Sequence, residues 1–118
     1  KILKDNKYLV PQKISKKAYS TYYTLAVRLL NKNKKKLNWK SFRKKFMEYG
    51  GDGIYAASRL IHQEPAIKKK GIGRESNSTP VARQLQKQLL LFTTNQGNQK
   101  EINIQTAALK KTLNYFGI

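Results

Sequence analysis

The sequence predicts an all-α protein, a bundle of four or five helices with a basic N-terminal arm. Three observations support this prediction. Apolar residues recur every three or four positions along several segments, which is the spacing of one helix face. Capping residues and helix stops flank those segments. Alternating β-branched stretches, the usual signal of strands, are weak throughout the chain.

The N-terminal segment, residues 1–17, is predicted to be a basic arm, and residues 18–118 are predicted to form the helical bundle domain. Six lysines in the arm are opposed by one acid, Asp5, and Pro11 interrupts any helix. Apolar residues between the lysines, such as Leu9, can anchor the arm on a partner or on the core. A solvated tail and an ordered arm that binds nucleic acid both remain open at this point.

A first helix is predicted from about Ser15, its cap, to about Lys32. Aromatic residues at helical spacing usually belong to a core and only seldom form a surface on which bases stack. We therefore expect one buried face of six residues: Tyr19, Tyr22, Tyr23, Ala26, Leu29 and Leu30.

A second helix is predicted to begin at Trp39, capped by Asn38, because Trp39, Phe42, Phe46 and Tyr49 fall within a narrow arc of a helical wheel. Trp39 and Phe46 are expected to be buried. The glycine pair that follows favours a stop, since glycine adopts the left-handed geometry of a C-cap. A third helix is predicted from Asp52 to Pro65, with four residues facing inward: Ile54, Ala57, Leu60 and Ile61.

Two more helices are predicted toward the C-terminus. The Thr79–Pro80 pair is a good helix start, and the helix is expected to end near Thr93 with an apolar stripe of Val81, Leu85, Leu89 and Phe92. The last helix is predicted from about Glu101, favourable near a helix N-terminus, to Gly117. Its buried side is expected to hold Ile102, Thr106, Leu109, Leu113 and Phe116.

The charge balance indicates the class of partner. The chain has 25 Lys and Arg against six Asp and Glu, a formal net charge of +19. Such an excess repels itself, so it favours a polyanionic partner, with nucleic acid as the first candidate and an anionic membrane surface as the second. The absence of cysteine excludes disulfides and thiolate metal sites. No apolar run approaches a membrane span, and no signal peptide is recognised, so secretion is not expected.

The densest basic stretch, residues 32–45, has eight basic residues and no acid. Because neighbouring like charges weaken a helix, folding does not explain them, whereas a phosphate backbone does. A second basic loop spans residues 64–78. Lysine acts as a point charge on phosphates, so its excess over arginine favours binding that ignores base sequence. The residues predicted to contact nucleic acid are Lys4, Lys7, Lys13, Lys16, Lys17, Lys32, Lys34, Lys35, Lys36, Lys40, Arg43, Lys44, Lys45, Lys68, Lys69, Lys70 and Arg74.

The sequence contains few residues suited to catalysis. His62 is the only histidine, and the six acids are scattered, with no pair at helical spacing to serve one site. The glycines at 71 and 73 lack the lysine and serine spacing of a nucleotide-binding loop. We therefore expect no enzyme, no cofactor, no metal site and no small-molecule substrate.

The segment Phe42–Tyr49, the glycine-rich loop 50–53 and the segment Ile54–Leu60 resemble coat proteins of filamentous and rod-shaped archaeal viruses, of the lipothrixvirus and rudivirus type. In that family an amphipathic helix ends in Tyr-Gly, and a short loop leads to a helix containing Ile-Tyr. The resemblance covers about residues 39–62 and the general layout. It implies a structural protein that packages linear double-stranded DNA, without reading its sequence, in a virion assembled in the host cytoplasm. It also implies self-association along DNA or with a related coat protein.

Two alternatives remain. A basic four-helix domain with Thr21-Tyr22-Tyr23 near its start resembles the core-binding domain of tyrosine recombinases. Size and charge also fit a small ribosomal or other RNA-binding protein, although double-stranded DNA is favoured over RNA. The alternatives imply a cytoplasmic, nucleoid-associated or ribosome-associated protein.

Overall fold

The computed structural model describes residues 2–31, 36–55, 59–71 and 79–118. In these ranges the chain forms four β-strands, four α-helices and a 3-10 turn at Ile61–Gln63. In chain order the elements are β1 (Leu9–Pro11), β2 (Thr24–Leu29), α1 (Trp39–Glu48), β3 (Ile54–Tyr55), α2 (Pro65–Lys69), α3 (Pro80–Gln86), β4 (Leu89–Thr93) and α4 (Gln99–Phe116). The prediction of an all-α bundle is wrong, because the fold combines these helices with an antiparallel sheet.

The sheet has the strand order β1-β2-β4-β3, and each neighbouring pair is antiparallel. Its register aligns apolar residues across the strands. Leu9 lies opposite Leu29, and Val27 lies opposite Leu90. Because side chains alternate between the two faces of a strand, these buried residues share one face of the sheet.

Helices α1 and α4 pack on that face and complete the core. Phe92 of β4 packs in a T-shaped arrangement against two α1 rings, with centroid distances of 6.4 Å to Phe42 and 5.5 Å to Phe46. Phe42 also stacks on Phe116 of α4 at 6.1 Å. Ala108 and Leu113 of α4 are buried in the same cluster. The apolar core therefore lies between one face of the sheet and two helices.

The predicted first helix is wrong. Thr24–Leu29 forms the central strand β2, and Tyr19 and Tyr23, expected to be buried, are 92% and 93% exposed. The segment has apolar residues at helical spacing, but Leu25, Val27 and Leu29 also recur at every second position. Pairing with β1 on one side and β4 on the other stabilises the strand, so the period of two prevails.

The predicted second helix is confirmed as α1. Asn38 caps it by accepting a hydrogen bond from the Ser41 amide, and Ser41 Oγ accepts one from the Asn38 amide. Gly50 follows the helix with a φ of +88°, a conformation that glycine adopts readily. Phe46 is buried as predicted, whereas Trp39 is only partly buried.

The third and fourth predicted helices are corrected. Ile54–Tyr55 forms β3, paired with β4. In the described residues before Pro65 the chain forms a 3-10 turn, and Ile61, expected to face inward, is 81% exposed; Ala57 lies outside the described residues. The fourth helix begins at Pro80 as predicted but ends at Gln86. Leu89–Thr93 continues as β4, because its short apolar run fits a buried strand as well as a helix and β2 and β3 pair with it.

The last predicted helix is confirmed as α4. It begins two residues before Glu101, after the cap Asn98, and ends at Phe116, before the C-cap Gly117, whose φ of 63° is left-handed. Ile102, expected on the buried side, is 43% exposed. At the other end of the chain, β1 joins the sheet and Leu9 is fully buried. The boundary of an arm at residue 17 stays a prediction. Among the described helices, none has the length and apolar character needed to cross a membrane.

Candidate nucleic-acid interface

Helix α1 displays much of the basic surface. Its buried face is turned to the sheet, so Lys40 and Lys44 are exposed. Lys40 Nζ lies 5.9 Å from the centre of the Trp39 ring. Arg43 differs from these lysines, because its Nε donates a hydrogen bond to the Ile54 carbonyl over 3.1 Å. Arg43 therefore connects α1 to β3 and is partly committed to the fold.

A groove of about 860 Å³ runs between α1 and the C-terminal end of α4. Three of the predicted basic residues line it: Lys36, Lys44 and Lys45. The remaining lining consists of Leu37, Ser41, Glu48, Tyr115 and Phe116. The groove thus gathers cationic side chains, which attract phosphates, beside an aromatic wall.

Lys45 is the most constrained cation of the groove. Its Nζ lies 2.7 Å from Glu48 Oε2 and 4.4 Å from the centre of the Tyr115 ring. The hydrogen bond with Glu48 raises the pKa of Lys45 above its ordinary value and lowers the pKa of Glu48. Both groups stay charged at neutral pH. Because the Lys45 ammonium is charged, its position over the Tyr115 ring is a cation–π contact.

Lys44 is more available. Its side chain is 78% exposed, and its Nζ is 3.9 Å from Glu48 Oε1. Such exposed pairs are weak, so Lys44 can exchange this carboxylate for a phosphate at little cost. Among the described residues that line the groove, Glu48 is the one acid.

The other predicted contacts are distributed over the described surface. Lys4, Lys7, Lys13, Lys16 and Lys17 are exposed near the N-terminus, and Lys68, Lys69 and Lys70 are exposed at the end of α2. None of these lines the α1–α4 groove. Lys32, Lys34, Lys35 and Arg74 lie outside the described residues.

Sequence reasoning missed one residue that lines the groove and one basic residue on the same side of α4. Tyr115, 55% exposed, forms the aromatic wall of the groove. Lys111 is exposed and lies one helical turn before Tyr115, hence on the same side of α4. Their positions outside the apolar stripe of α4 were a signal that they face solvent, but only the packing of α4 against α1 reveals the shared groove.

The groups considered for catalysis do not converge in the described part of the chain. His62 lies in the 3-10 turn, and its Nε2 is buried without a hydrogen-bond partner among the described residues. Asp52 accepts hydrogen bonds from Thr93 and Gln96, and Glu101 accepts one from the Gly97 amide. No group of three His, Asp or Glu side chains suited to a metal ion occurs in the described ranges.

Comparison with known proteins identified no relative. No protein-family model matches the chain, and no curated protein matches it.

Proposed function

We propose that this protein binds double-stranded DNA through the phosphate backbone, without reading base sequence, and covers it as a structural protein. The observation that supports this proposal is the α1–α4 groove, where Lys36, Lys44 and Lys45 converge beside the exposed ring of Tyr115. A net charge of +19 supplies the long-range attraction.

The described ion pairs leave most of this charge available. Within the described ranges, carboxylates lie within 4.0 Å of only three basic side chains, those of Lys44, Lys45 and Arg59. The exposed lysines of the N-terminal segment and of α2 take part in none of these pairs. A polyanion can therefore be neutralised without first breaking a network of internal salt bridges.

The residues that line the groove favour binding that does not depend on base sequence. Its cations are lysines, which contact phosphates as point charges, whereas arginine is the usual bidentate reader of guanine. Duplex DNA carries about one negative charge per 1.7 Å, so about ten base pairs would balance the charge of one subunit. Subunits packed along DNA would otherwise repel one another, which favours coverage at a fixed stoichiometry.

A coat-protein role in a virion is the specific form of this proposal. In the described part of the segment that resembles the archaeal viral coat proteins, Phe42–Glu48 belongs to α1 and Ile54–Tyr55 forms the strand β3 instead of starting a second helix. The role therefore depends on charge and coverage rather than on that local resemblance. The recombinase alternative implied a four-helix bundle, to which the antiparallel sheet gives no support.

A salt titration with matched variants tests the groove. For wild-type protein and a random-sequence duplex, log affinity should fall against log salt with a slope of about −5 to −9, as expected for roughly 6 to 10 neutralised phosphates. Lys36→Gln/Lys44→Gln should reduce the magnitude of the slope by about 2, because two phosphate contacts are lost. Lys87→Gln/Lys100→Gln removes the same charge from exposed sites outside the groove and should change the slope less.

The outcomes separate the alternatives. Equal slopes for the two double variants would show that the groove is not the binding surface. Strong discrimination between duplexes of equal length would contradict backbone binding, and tighter binding to structured RNA than to duplex DNA would favour the RNA-binding alternative. Electron microscopy of protein mixed with linear duplex should show regular filaments if the protein coats DNA.

A further inference from the structure

The loop between β1 and β2, residues 12–23, displays aromatic rings in solvent. Tyr19 and Tyr23 are 92% and 93% exposed, and Tyr22 is 45% exposed. Single exposed apolar residues are common on protein surfaces, but three tyrosines within five positions make a concentrated aromatic surface. Such rings bury large areas when a partner covers them.

The structure holds this loop at both ends. The Gln12 amide donates a hydrogen bond to the Ala26 carbonyl over 2.9 Å, which extends the β1–β2 ladder. Thr94, the residue after β4, directs its Oγ1 to the carbonyl oxygens of Tyr22 and Tyr23. The tyrosine backbone is therefore fixed to the end of the β2–β4 pair.

Local hydrogen bonds shape the loop between these anchors. The Ala18 amide bonds to the Ser15 carbonyl over 3.0 Å, and the Tyr22 amide bonds to Ser20 Oγ over 3.2 Å. Tyr22 has a φ of 51°, in the left-handed region that few non-glycine residues occupy. Tyr22 therefore occupies a backbone conformation in which glycine or asparagine would be less strained, and it lies beside the exposed Tyr23 in the chain.

The positive charge of the 12–23 loop indicates the class of partner. Lys13, Lys16 and Lys17 are exposed in the same loop, and the loop contains no acid. Exposed rings that follow exposed cations within one loop match a polymer that carries both π-faces and anions, and unpaired nucleotides have this chemistry. Duplex DNA hides its base faces within the stack, so it offers these rings no equivalent contact.

We propose that the 12–23 loop binds single-stranded nucleic acid, with bases stacked on Tyr19 and Tyr23 and the loop lysines on the phosphates. The proposal rests on the nucleic-acid binding proposed above and extends it from duplex to unpaired strands. The loop then adds affinity for unpaired regions, such as frayed ends, through a stacking contact that a duplex does not offer.

An abasic oligonucleotide isolates the stacking from the charge. Fluorescence anisotropy would compare a labelled oligothymidylate of about 16 nucleotides with an abasic strand of equal length, because site sizes of up to about 16 nucleotides are usual for stacking proteins. Both strands carry the same phosphates. The wild type should bind the oligothymidylate about tenfold more tightly than the abasic strand for each base that stacks.

Two variants then assign the effect to the loop. Tyr19→Leu/Tyr23→Leu should abolish the difference between the strands and leave affinity for the abasic strand and for a duplex unchanged. Tyr19→Phe/Tyr23→Phe keeps the rings and should keep the difference. Tyr55→Leu, at a tyrosine that is 61% exposed on β3, is the matched control and should also keep it. Both loop tyrosines are almost fully exposed, so folding should be unaffected, as circular dichroism will verify.

The possible failures are distinguishable. If the wild type binds both strands equally well, stacking is excluded while phosphate binding stands. If it binds neither strand nor duplex, the proposed function itself fails. If the leucine variant changes the sedimentation of the protein without nucleic acid and keeps the preference for bases, the loop is a contact between copies of this chain and the stacking proposal is overturned.

Discussion

Two segments whose apolar residues recur every three or four positions take different structures in this protein. Trp39–Glu48 forms helix α1, with Phe42 and Phe46 in the core. The segment from Tyr19 to Leu29 has aromatic and aliphatic residues at comparable intervals, but it forms an exposed loop followed by the strand β2. The periodicity of apolar residues alone therefore does not separate a helix from a strand here.

The difference lies at the ends and in the second period. Asn38 and Ser41 cap α1 reciprocally, so the helix has a defined start. Ser15 has no such role, since its Oγ accepts only from the nearby Lys17 amide, over 3.3 Å. The segment from Tyr19 to Leu29 also contains Leu25, Val27 and Leu29 at every second position, and β2 pairs with a strand on each side. A helix is therefore identified where a capping pair such as Asn38 and Ser41 precedes apolar residues that follow the helical period alone.

The largest contrast is expected in stability. Phe42 is fully buried among Phe92 and Phe116, so Phe42→Ala should lower the free energy of unfolding by about 3–5 kcal/mol. Tyr23→Ala removes a ring that is 93% exposed and should change it by less than about 0.5 kcal/mol. Urea denaturation monitored by circular dichroism measures both. A cost at Tyr23 similar to that at Phe42 would mean that the loop is packed.

The exit from α1 provides a second test. A Cβ on Gly51 would collide with the ring of Phe46, whereas one on Gly53 meets no atom within 4 Å. Gly51→Ala should therefore destabilise the protein by about 1–3 kcal/mol, the usual cost of overpacking, because Phe46 must move. Gly53→Ala is the control and should be nearly neutral. The same denaturation experiment compares them, and equal effects would contradict the close packing of the loop on α1.

The two predicted caps give a smaller contrast. Asn38→Ala removes the oxygen that accepts from the Ser41 amide and should cost about 1 kcal/mol. Ser15→Ala, at the predicted cap that precedes no helix, should cost less than about 0.5 kcal/mol. Chemical denaturation of both variants checks the pair. A larger loss for Ser15→Ala would reverse the account of why one segment is helical.

The sequence was informative where local signals agreed. Helices α1 and α4 were predictable because Asn38 and Gly117 mark their ends and the apolar stripes have one period. The strands were not, since β1 and β3 are only a few residues long and β4 is a short apolar run that fits either structure. Their conformation depends on partners distant in the chain, which single-segment patterns do not contain.

The candidate site shows the same division. Runs of lysine are visible in the sequence, so Lys36, Lys44 and Lys45 were predicted as contacts. The groove that collects them was not, because it requires the end of α4 to pack beside α1 and to bring Tyr115 to Lys45. In the same way, the tyrosines of the 12–23 loop were expected in a core, since nothing local indicated that the chain turns before β2.

One of the two basic segments contains an acid and the other does not, and the smallest effect on DNA affinity is expected from this difference. Glu48 pairs with Lys45 on α1, whereas the 12–23 loop has no acid. Glu48→Gln should make the groove more positive and increase affinity for duplex DNA about twofold at neutral pH, the size expected for one exposed charge. Glu64→Gln removes an equal charge beside Arg59, outside the groove, and should have less effect.

The pH dependence of that gain identifies its origin. The hydrogen bond from Lys45 lowers the pKa of Glu48 below its ordinary 4.5, so the carboxylate is negative at neutral pH and is protonated at more acidic pH than an unpaired glutamate. The advantage of Glu48→Gln should therefore be constant around neutral pH. It should disappear only at lower pH, where the wild-type Glu48 becomes protonated and neutral like glutamine. Fluorescence anisotropy with a labelled duplex measures the ratio of the two affinities. A ratio that falls already near neutral pH would mean that another group, and not Glu48, opposes binding in the groove.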